Sequence, residues 1–200
     1  MAVTAWGPFS LAAQLFGVER FMQGMFKARE LVKEVLEFAT EVLFQFYAPM
    51  IRAGYLKTLA LADPTASGDL ISRRQFGEFG VPYLKKLSER VREMGALVFL
   101  HICGNTTDRL ELLPETGAHL IALDYKVDIG EAKRRIGDRM CIAGNVNPVS
   151  VLDQGTPELV RRESLACVEK AAAGGGFVLL PTVPLENIRA MIDVARGYRY

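Results

Sequence analysis

Short apolar segments alternate with longer amphipathic segments along the whole of this 200-residue chain. Six of the apolar segments have the length of strands: 3–9, 56–62, 97–103, 119–124, 140–143 and 177–180. Nearly every position in them is apolar, which is typical of strands buried on both faces of a parallel sheet. The alternation predicts an α/β fold made of successive β/α units with right-handed crossovers.

The segments between the strands carry apolar residues at helical spacing. The longest predicted helix covers 29–53, and its apolar stripe consists of Leu31, Val35, Phe38, Val42 and Phe46. Ser72 and Gln75 have the spacing of a capping box, and they predict a helix that runs to about Met94. A shorter helix is predicted over 108–115.

The C-terminal third contains further helix boundaries. Residues 129–136 predict a short helix, and Thr156 followed by Pro157 predicts the first turn of a longer one. Three glycines, 174–176, predict its end, and Pro184 predicts the start of a last helix. Two architectures accommodate such a chain: an open doubly wound sheet, or a TIM (β/α)8-type barrel in which about six units are present. Periodicity does not choose between them.

Composition excludes several classes of protein. Lys and Arg together number 24 and Asp and Glu 23, and a formal charge of +1 argues against a nucleic-acid partner. No run of 18 apolar residues predicts a membrane span. The segment 1–9 lacks the basic start of a signal peptide, and three widely spaced cysteines do not make a disulfide framework. We expect a single cytoplasmic domain over 1–200.

In both architectures ligands bind where the parallel strands end. The third strand ends in His101 and Cys103, which are two residues apart and therefore point to the same side of the strand. An imidazole nitrogen and a thiolate sulfur favour zinc, although zinc sites use three or four protein ligands. The alternatives are a hydrogen-bonded histidine and a cysteine that packs as a small apolar residue.

Three further side chains follow strand ends. Asp63 follows the second strand, where it could bind substrate or act as an acid or base, or could instead support the turn into the Ser72 helix. Asn105 and Asn145 each follow a glycine, and they could supply amide donors to a pocket or stabilise local turns. Lys126 is predicted to be a solvated charge.

Several stretches of the chain resemble the uroporphyrinogen decarboxylase superfamily. They are GPFSLAAQLFG, LADPTASGDLISRRQFGEFGVPYLKKL, HICGNTTDRL, LDYKVDIGEAKRRIGDRMCIAGNVNP and GGGFVLLPTVPLENIRAMIDVAR. They cover nearly the whole chain in the order of the family. Members are β/α barrels, and the branch with the pattern H-x-C-G-N is that of corrinoid- and coenzyme M-type methyltransferases.

In that branch the resemblance implies that His101 and Cys103 are zinc ligands. The zinc would bind a substrate thiol and lower its pKa, and the thiolate would take a methyl group from methylcobalamin carried by a partner protein. The family's third ligand, a cysteine in a loop after the last strand, has no counterpart in the stretch 180–184. Full members also have about two β/α units ahead of the first strand found here.

The same resemblance leaves two alternatives. One is a decarboxylase-like lyase that acts on a cyclic tetrapyrrole without a metal, although Gln14 and Pro64 replace a tyrosine and a serine of that branch. The other is an inactive or partner-dependent barrel fragment. Six units do not close an eight-stranded ring, so we expect open apolar edges that favour a homo-oligomer or a complementing barrel fragment.

Overall fold

The computed structural model describes residues 1–180 and 185–198. The strands of this part form one parallel sheet: β1 (Ala2–Trp6), β2 (Thr58–Ala62), β3 (Leu97–Ile102), β4 (Leu120–Leu123), β5 (Cys141–Ala143) and β6 (Phe177–Val178). Their order in the sheet is their order in the chain. A doubly wound sheet reverses its strand order at a switch point, whereas a β/α barrel does not. The sheet is therefore a barrel-type arc of six strands.

Helices follow the strands in the expected alternation. They are α1 (Pro8–Phe16), α2 (Val18–Lys27), α3 (Arg29–Arg52), α4 (Arg73–Gln75), α5 (Val81–Glu93), α6 (Ile129–Ile136), α7 (Pro157–Ala171) and α8 (Leu185–Gly197). A π-helical turn, Phe76–Gly80, joins α4 to α5. The capping box between Ser72 and Gln75 is confirmed, as is Thr156 at the start of α7. Residues 181–184, and with them the predicted helix start at Pro184, lie outside the described residues.

Two boundary predictions are wrong. The first strand ends at Trp6 instead of residue 9, because Pro8 occupies the first turn of α1, where its fixed φ favours helix and its missing N–H is not needed. The region 108–115 is two 3₁₀ turns, Thr107–Leu112 and Pro114–Thr116, instead of one α-helix. Pro114 lacks the N–H that a continuous helix would use there.

The apolar stripe predicted for α3 is largely not the buried one. Phe38 and Phe46 are 61% and 65% exposed. The side of α3 that packs on the core consists of Val32, Leu36, Ala39 and Leu43. A third side carries Glu37 and Glu41, which form ion pairs with Lys86 and Arg90 of α5. The helix thus has a second apolar face, hereafter the α3 stripe, formed by Leu31, Phe38, Val42 and Phe46.

The two faces of the sheet differ in side-chain size. Residues that point toward the helices are large and buried, and they include Leu59, Leu61, Val98, Leu100, Ile121 and Ile142. Most residues on the concave face are smaller (Thr4, Ala60, Ala62, Ala122 and Ala143), and together with the larger Phe99 and Leu120 they line a cavity of about 360 Å³. Within the described chain β1 pairs only with β2, and β6 pairs only with β5. The arc therefore has two free edges.

None of the described helices combines the length and the apolar content needed to cross a bilayer.

Candidate functional site

His101 and Cys103 lie together at the end of β3, as their spacing predicts. The imidazole Nε2 is 3.2 Å from the Cys103 Sγ. The other ring nitrogen, Nδ1, is 2.9 Å from the carbonyl oxygen of Ala122 on β4. A carbonyl only accepts, so Nδ1 carries the proton and donates it, and Nε2 presents its lone pair beside the thiol. A backbone carbonyl is one of the usual acceptors for the second ring nitrogen of a metal-binding histidine.

The separation of these two donors suits one zinc ion. With Zn–N of about 2.0–2.1 Å and Zn–S of about 2.3 Å, a tetrahedral zinc holds the two ligand atoms about 3.6 Å apart. The observed 3.2 Å is within a small side-chain adjustment of that value. Among residues 1–180 and 185–198, no group of three or more His, Cys, Asp or Glu side chains is placed to hold a metal. The pair therefore fits two ligand positions of a zinc site.

The thiol itself is accessible. Cys103 is exposed, although the protein atoms beside its thiol displace some water, and this desolvation together with the nearby Asp124 carboxylate raises its pKa. A cavity of about 240 Å³ lies against it and is lined by His101, Cys103, Asp124, Tyr125, Asn145 and Leu180, with other residues of the same loops. The site thus has the size for a small ligand next to a neutral thiol.

Asn145 is held by the backbone around it. Its Nδ2 donates to the carbonyl oxygens of Asp124 and Val127, at 2.9 and 2.7 Å. Its Oδ1 lies 3.8 Å from the Cys167 Sγ. Both amide protons are therefore engaged in joining the loops after β4 and β5, although the side chain also lines the cavity beside Cys103.

Asn105 and Asp63 have different surroundings. Asn105 is exposed, and its Oδ1 accepts a hydrogen bond from the Thr107 N–H at 3.0 Å, which is a local turn. Asp63 is completely buried, and its carboxylate accepts hydrogen bonds from the Phe9 and Ser10 N–H groups at the start of α1. Their predicted catalytic roles stay predictions.

The Asp63 carboxylate stabilises α1, whereas the sequence suggested either catalysis or the turn into the Ser72 helix. Burial raises its pKa to about 6, and the hydrogen bonds from Ser10 and Phe9 partly oppose that rise. A Cβ on Gly7 would lie 2.3 Å from the Asp63 Oδ2, so the chain passes too close for any side chain there. The contribution of Asp63 to the turn that follows β2 comes from its main-chain oxygen, which accepts a hydrogen bond from the Ala66 N–H.

Further polar contacts at the rim could not be foreseen from the sequence. Lys126 is exposed, as predicted, and it also forms an ion pair with Asp69 across the loops after β4 and β2. Arg109 is completely buried and donates to the carbonyl oxygens of Ala66 and Ile71. These partners are 38 to 57 residues apart in the chain, so no local pattern signals them.

Comparison with known proteins identifies the family. The sequence model of the uroporphyrinogen decarboxylase (URO-D) family matches residues 1–198. The chain belongs to the URO-D family. This agrees with the resemblance carried by the sequence stretches and with a barrel-type arc of β/α units.

Methyltransferases are prominent among the relatives of this URO-D family chain. It is 34% identical over 199 residues to a methylcobamide:CoM methyltransferase MtbA of Methanosarcina mazei, covering 97% of the chain and 57% of that protein. A solved structure titled as a methyltransferase from Methanosarcina mazei superposes with a TM-score of 0.87 at 28% identity, covering 98% of this chain and 58% of that one. The chain thus spans somewhat more than half the length of these relatives.

Decarboxylases match a smaller part of the chain. A chloroplastic uroporphyrinogen decarboxylase of Zea mays is 33% identical over 136 residues, which is 65% of this chain and 34% of that protein. The match to the methyltransferase of Methanosarcina mazei thus covers 97% of this chain, against 65% for this decarboxylase.

Proposed function

We propose that this URO-D family protein takes part in methyl transfer from a corrinoid protein to a thiol, with zinc held by His101 and Cys103. The observation that carries the proposal is the pairing of the His101 Nε2 with the Cys103 Sγ while Nδ1 is bound to Ala122. The methylcobamide:CoM methyltransferases that match nearly the whole chain support the reaction type.

Bound zinc would lower the pKa of a substrate thiol and so make a thiolate nucleophile available near neutral pH. The residues of this chain contribute the surroundings. The Ala122 carbonyl keeps the imidazole oriented, and the 240 Å³ cavity beside Cys103 offers room for a small thiol. We propose positioning roles for Asp63, Asn105 and Asn145, of which Asn145 lines that cavity.

Methylcobalamin would be presented by a partner protein. Cys103 is accessible to solvent at the carboxyl ends of the strands, where ligands bind in β/α barrels. We therefore propose that a corrinoid protein approaches this rim, with the thiol in the cavity between its cofactor and the His101–Cys103 pair.

The flank of the arc suggests a second kind of partner. The free edge of β1 presents backbone N–H and C=O groups without a strand partner, and the α3 stripe is an exposed apolar surface; neither has a covering element in the described chain. A parallel strand on β1 with its crossover helix against α3 would cover both, given the right-handed sense of such connections. We propose that a complementing β/α segment, or a second copy of the chain, occupies this flank.

Zinc content per chain tests the metal site. Wild-type protein purified under reducing conditions is expected to hold close to one zinc, and His101→Ala and Cys103→Ala are expected to lose it. Cys141→Ala is the matched control, since Cys141 begins β5 at the opposite rim. Absence of zinc from the wild type after reconstitution, or equal loss in the control, would contradict the proposed site.

Activity separates the two reaction classes. We expect methyl transfer from methylcobalamin to a small thiol that depends on zinc and on His101. The decarboxylase alternative, which the Zea mays relative motivates, expects loss of carboxyl groups from uroporphyrinogen without metal. Turnover of the porphyrinogen by metal-free protein would replace the proposal with that alternative.

A further inference from the structure

The backbone just after Cys103 is enclosed by the neighbouring loop. Gly104 has a φ of +81°, and a Cβ there would lie 2.4 Å from the Ser67 Oγ and 2.5 Å from the Asp69 Oδ2. Gly68 is similarly close to the loop after β3, since a Cβ added at Gly68 would lie 1.9 Å from the Asn105 carbonyl oxygen. The loop that carries Cys103 therefore runs in direct contact with the loop after β2.

Asp124 ties the same loop from the other side. Its Oδ2 accepts the Gly104 N–H at 2.9 Å, and its Oδ1 accepts the Lys126 N–H at 3.0 Å. One carboxylate thus bridges the residue next to Cys103 and the loop after β4. Neither of these two hydrogen bonds involves the Cys103 sulfur, which lies beside the His101 Nε2.

An ion pair joins the loop after β4 to the loop after β2, and a buried arginine holds the loop after β2. Lys126 Nζ lies 2.7 Å from the Asp69 Oδ2, and this contact lowers the pKa of Asp69 and raises the pKa of Lys126. The buried Arg109 donates to Ala66 and Ile71 on either side of Asp69. The loops after β2, β3 and β4 therefore form a closed ring around Gly104, hereafter the Gly104 ring.

We propose that Asp124 is a positioning residue that fixes the Cys103 thiol at ligand distance from His101, with Lys126 and Asp69 holding its loop in place. The inference rests on the proposed zinc site, which it deepens. Metal ligands must be placed within a few tenths of an ångström, and loops do not hold side chains that closely unless their backbone is tied. Loss of an outer partner of a metal ligand typically lowers affinity 10- to 100-fold.

Zinc affinity, measured by competition with a chromophoric chelator, tests this role. Asp124→Ala is expected to weaken zinc binding 10- to 100-fold relative to wild type. Asp124→Asn is expected to lose less, because its Oδ1 accepts one of the two N–H groups while its Nδ2 does not accept the other. Lys126→Met is expected to lose least. Asp138→Ala, at the opposite rim and highly exposed, is the matched control.

A second readout does not depend on zinc. In metal-free wild-type protein the Gly104 N–H is expected to exchange slowly with solvent, and in Asp124→Ala it is expected to exchange faster while the thermal midpoint stays close to that of the control. In cobalt-substituted protein, the thiolate-to-cobalt absorption is expected to weaken or shift in Asp124→Ala and to recover in part in Asp124→Asn.

These measurements separate the two proposals. Wild-type zinc binding that is unchanged in Asp124→Ala would overturn the positioning role and leave the zinc site intact. A wild type without zinc would refute the proposed function, and equal Gly104 exchange in wild type and Asp124→Ala would then refute the positioning role as well. Faster exchange of the Gly104 N–H in Asp124→Ala supports the hydrogen bond from Gly104 to Asp124, whether or not zinc is bound.

Discussion

The rim at the ends of the strands and the flank of α3 contrast in how their side chains are used. At the rim, Asp124, Lys126 and Arg109 engage backbone or charged groups from other loops. On the flank, Phe38 and Phe46 extend into solvent with no covering element in the described residues. Polar ties across loops fix a local geometry, whereas a bare apolar face needs another surface to cover it. The rim is tied together by contacts within the described chain, whereas the flank presents an uncovered apolar surface.

The largest effect that separates the two kinds of surface lies within α3 itself. Leu36→Ala, on the buried side, is expected to lower the free energy of unfolding by about 2–5 kcal/mol, because it leaves a cavity in the core. In a chain with no partner on this flank, Phe38→Ala, two residues along on the α3 stripe, is expected to change it by less than about 0.5 kcal/mol, because the Phe38 side chain is already exposed. Urea unfolding of both variants measures the difference. Comparable losses would show that the stripe is already covered in solution.

Arg109→Met tests the rigidity of the rim. The variant keeps an apolar stem over Phe76 but removes the donors to Ala66 and Ile71. Because those buried carbonyl oxygens lose their partner, the free energy of unfolding is expected to fall by about 3 kcal/mol. Arg139→Met, on an exposed arginine, is the control and is expected to be near neutral. If Arg109→Met left the free energy of unfolding almost unchanged in the same urea series, the rim loops would not depend on the hydrogen bonds of Arg109.

A smaller, pH-dependent effect belongs to Asp63. Its folded-state pKa of about 6 exceeds the unfolded value of about 3.9. The neutral form therefore contributes stability that is complete below about pH 4 and is lost as the pH rises through about 6. The loss is expected to reach at most about 3 kcal/mol in wild type.

Asp63→Asn removes this titration, so its free energy of unfolding is expected to vary less between pH 4 and 7 than that of wild type. Urea midpoints measured at steps of half a pH unit follow the difference between the two proteins. Parallel curves over this range would show that Asp63 does not titrate there.

Features that depend on residues close together in the chain can be predicted from the sequence. A run of apolar segments predicts the strands within about two residues except at the end of β1, and a two-residue spacing predicts that His101 and Cys103 share a side. Capping at Ser72 is readable because Gln75 is only three residues away. Each of these features depends on neighbours in the chain.

Contacts between residues that are far apart in the chain could not be predicted from local sequence patterns. Asp63 caps α1 across 53 residues, and Asp124 holds Gly104 across 20 residues. The periodicity of α3 shows that it has apolar residues at helical spacing, but a helix with two apolar faces gives no sign of which face meets the core. Packing against α1 and α5 decides that choice.

The hydrogen bond from His101 to Ala122 has a consequence for how the site is encoded. These two residues are direct partners in the parallel pairing of β3 with β4. A shift of one residue between the strands would turn His101 toward the helix layer, because side chains alternate along a strand. In the observed register, the imidazole tautomer is chosen by the alignment of two central strands.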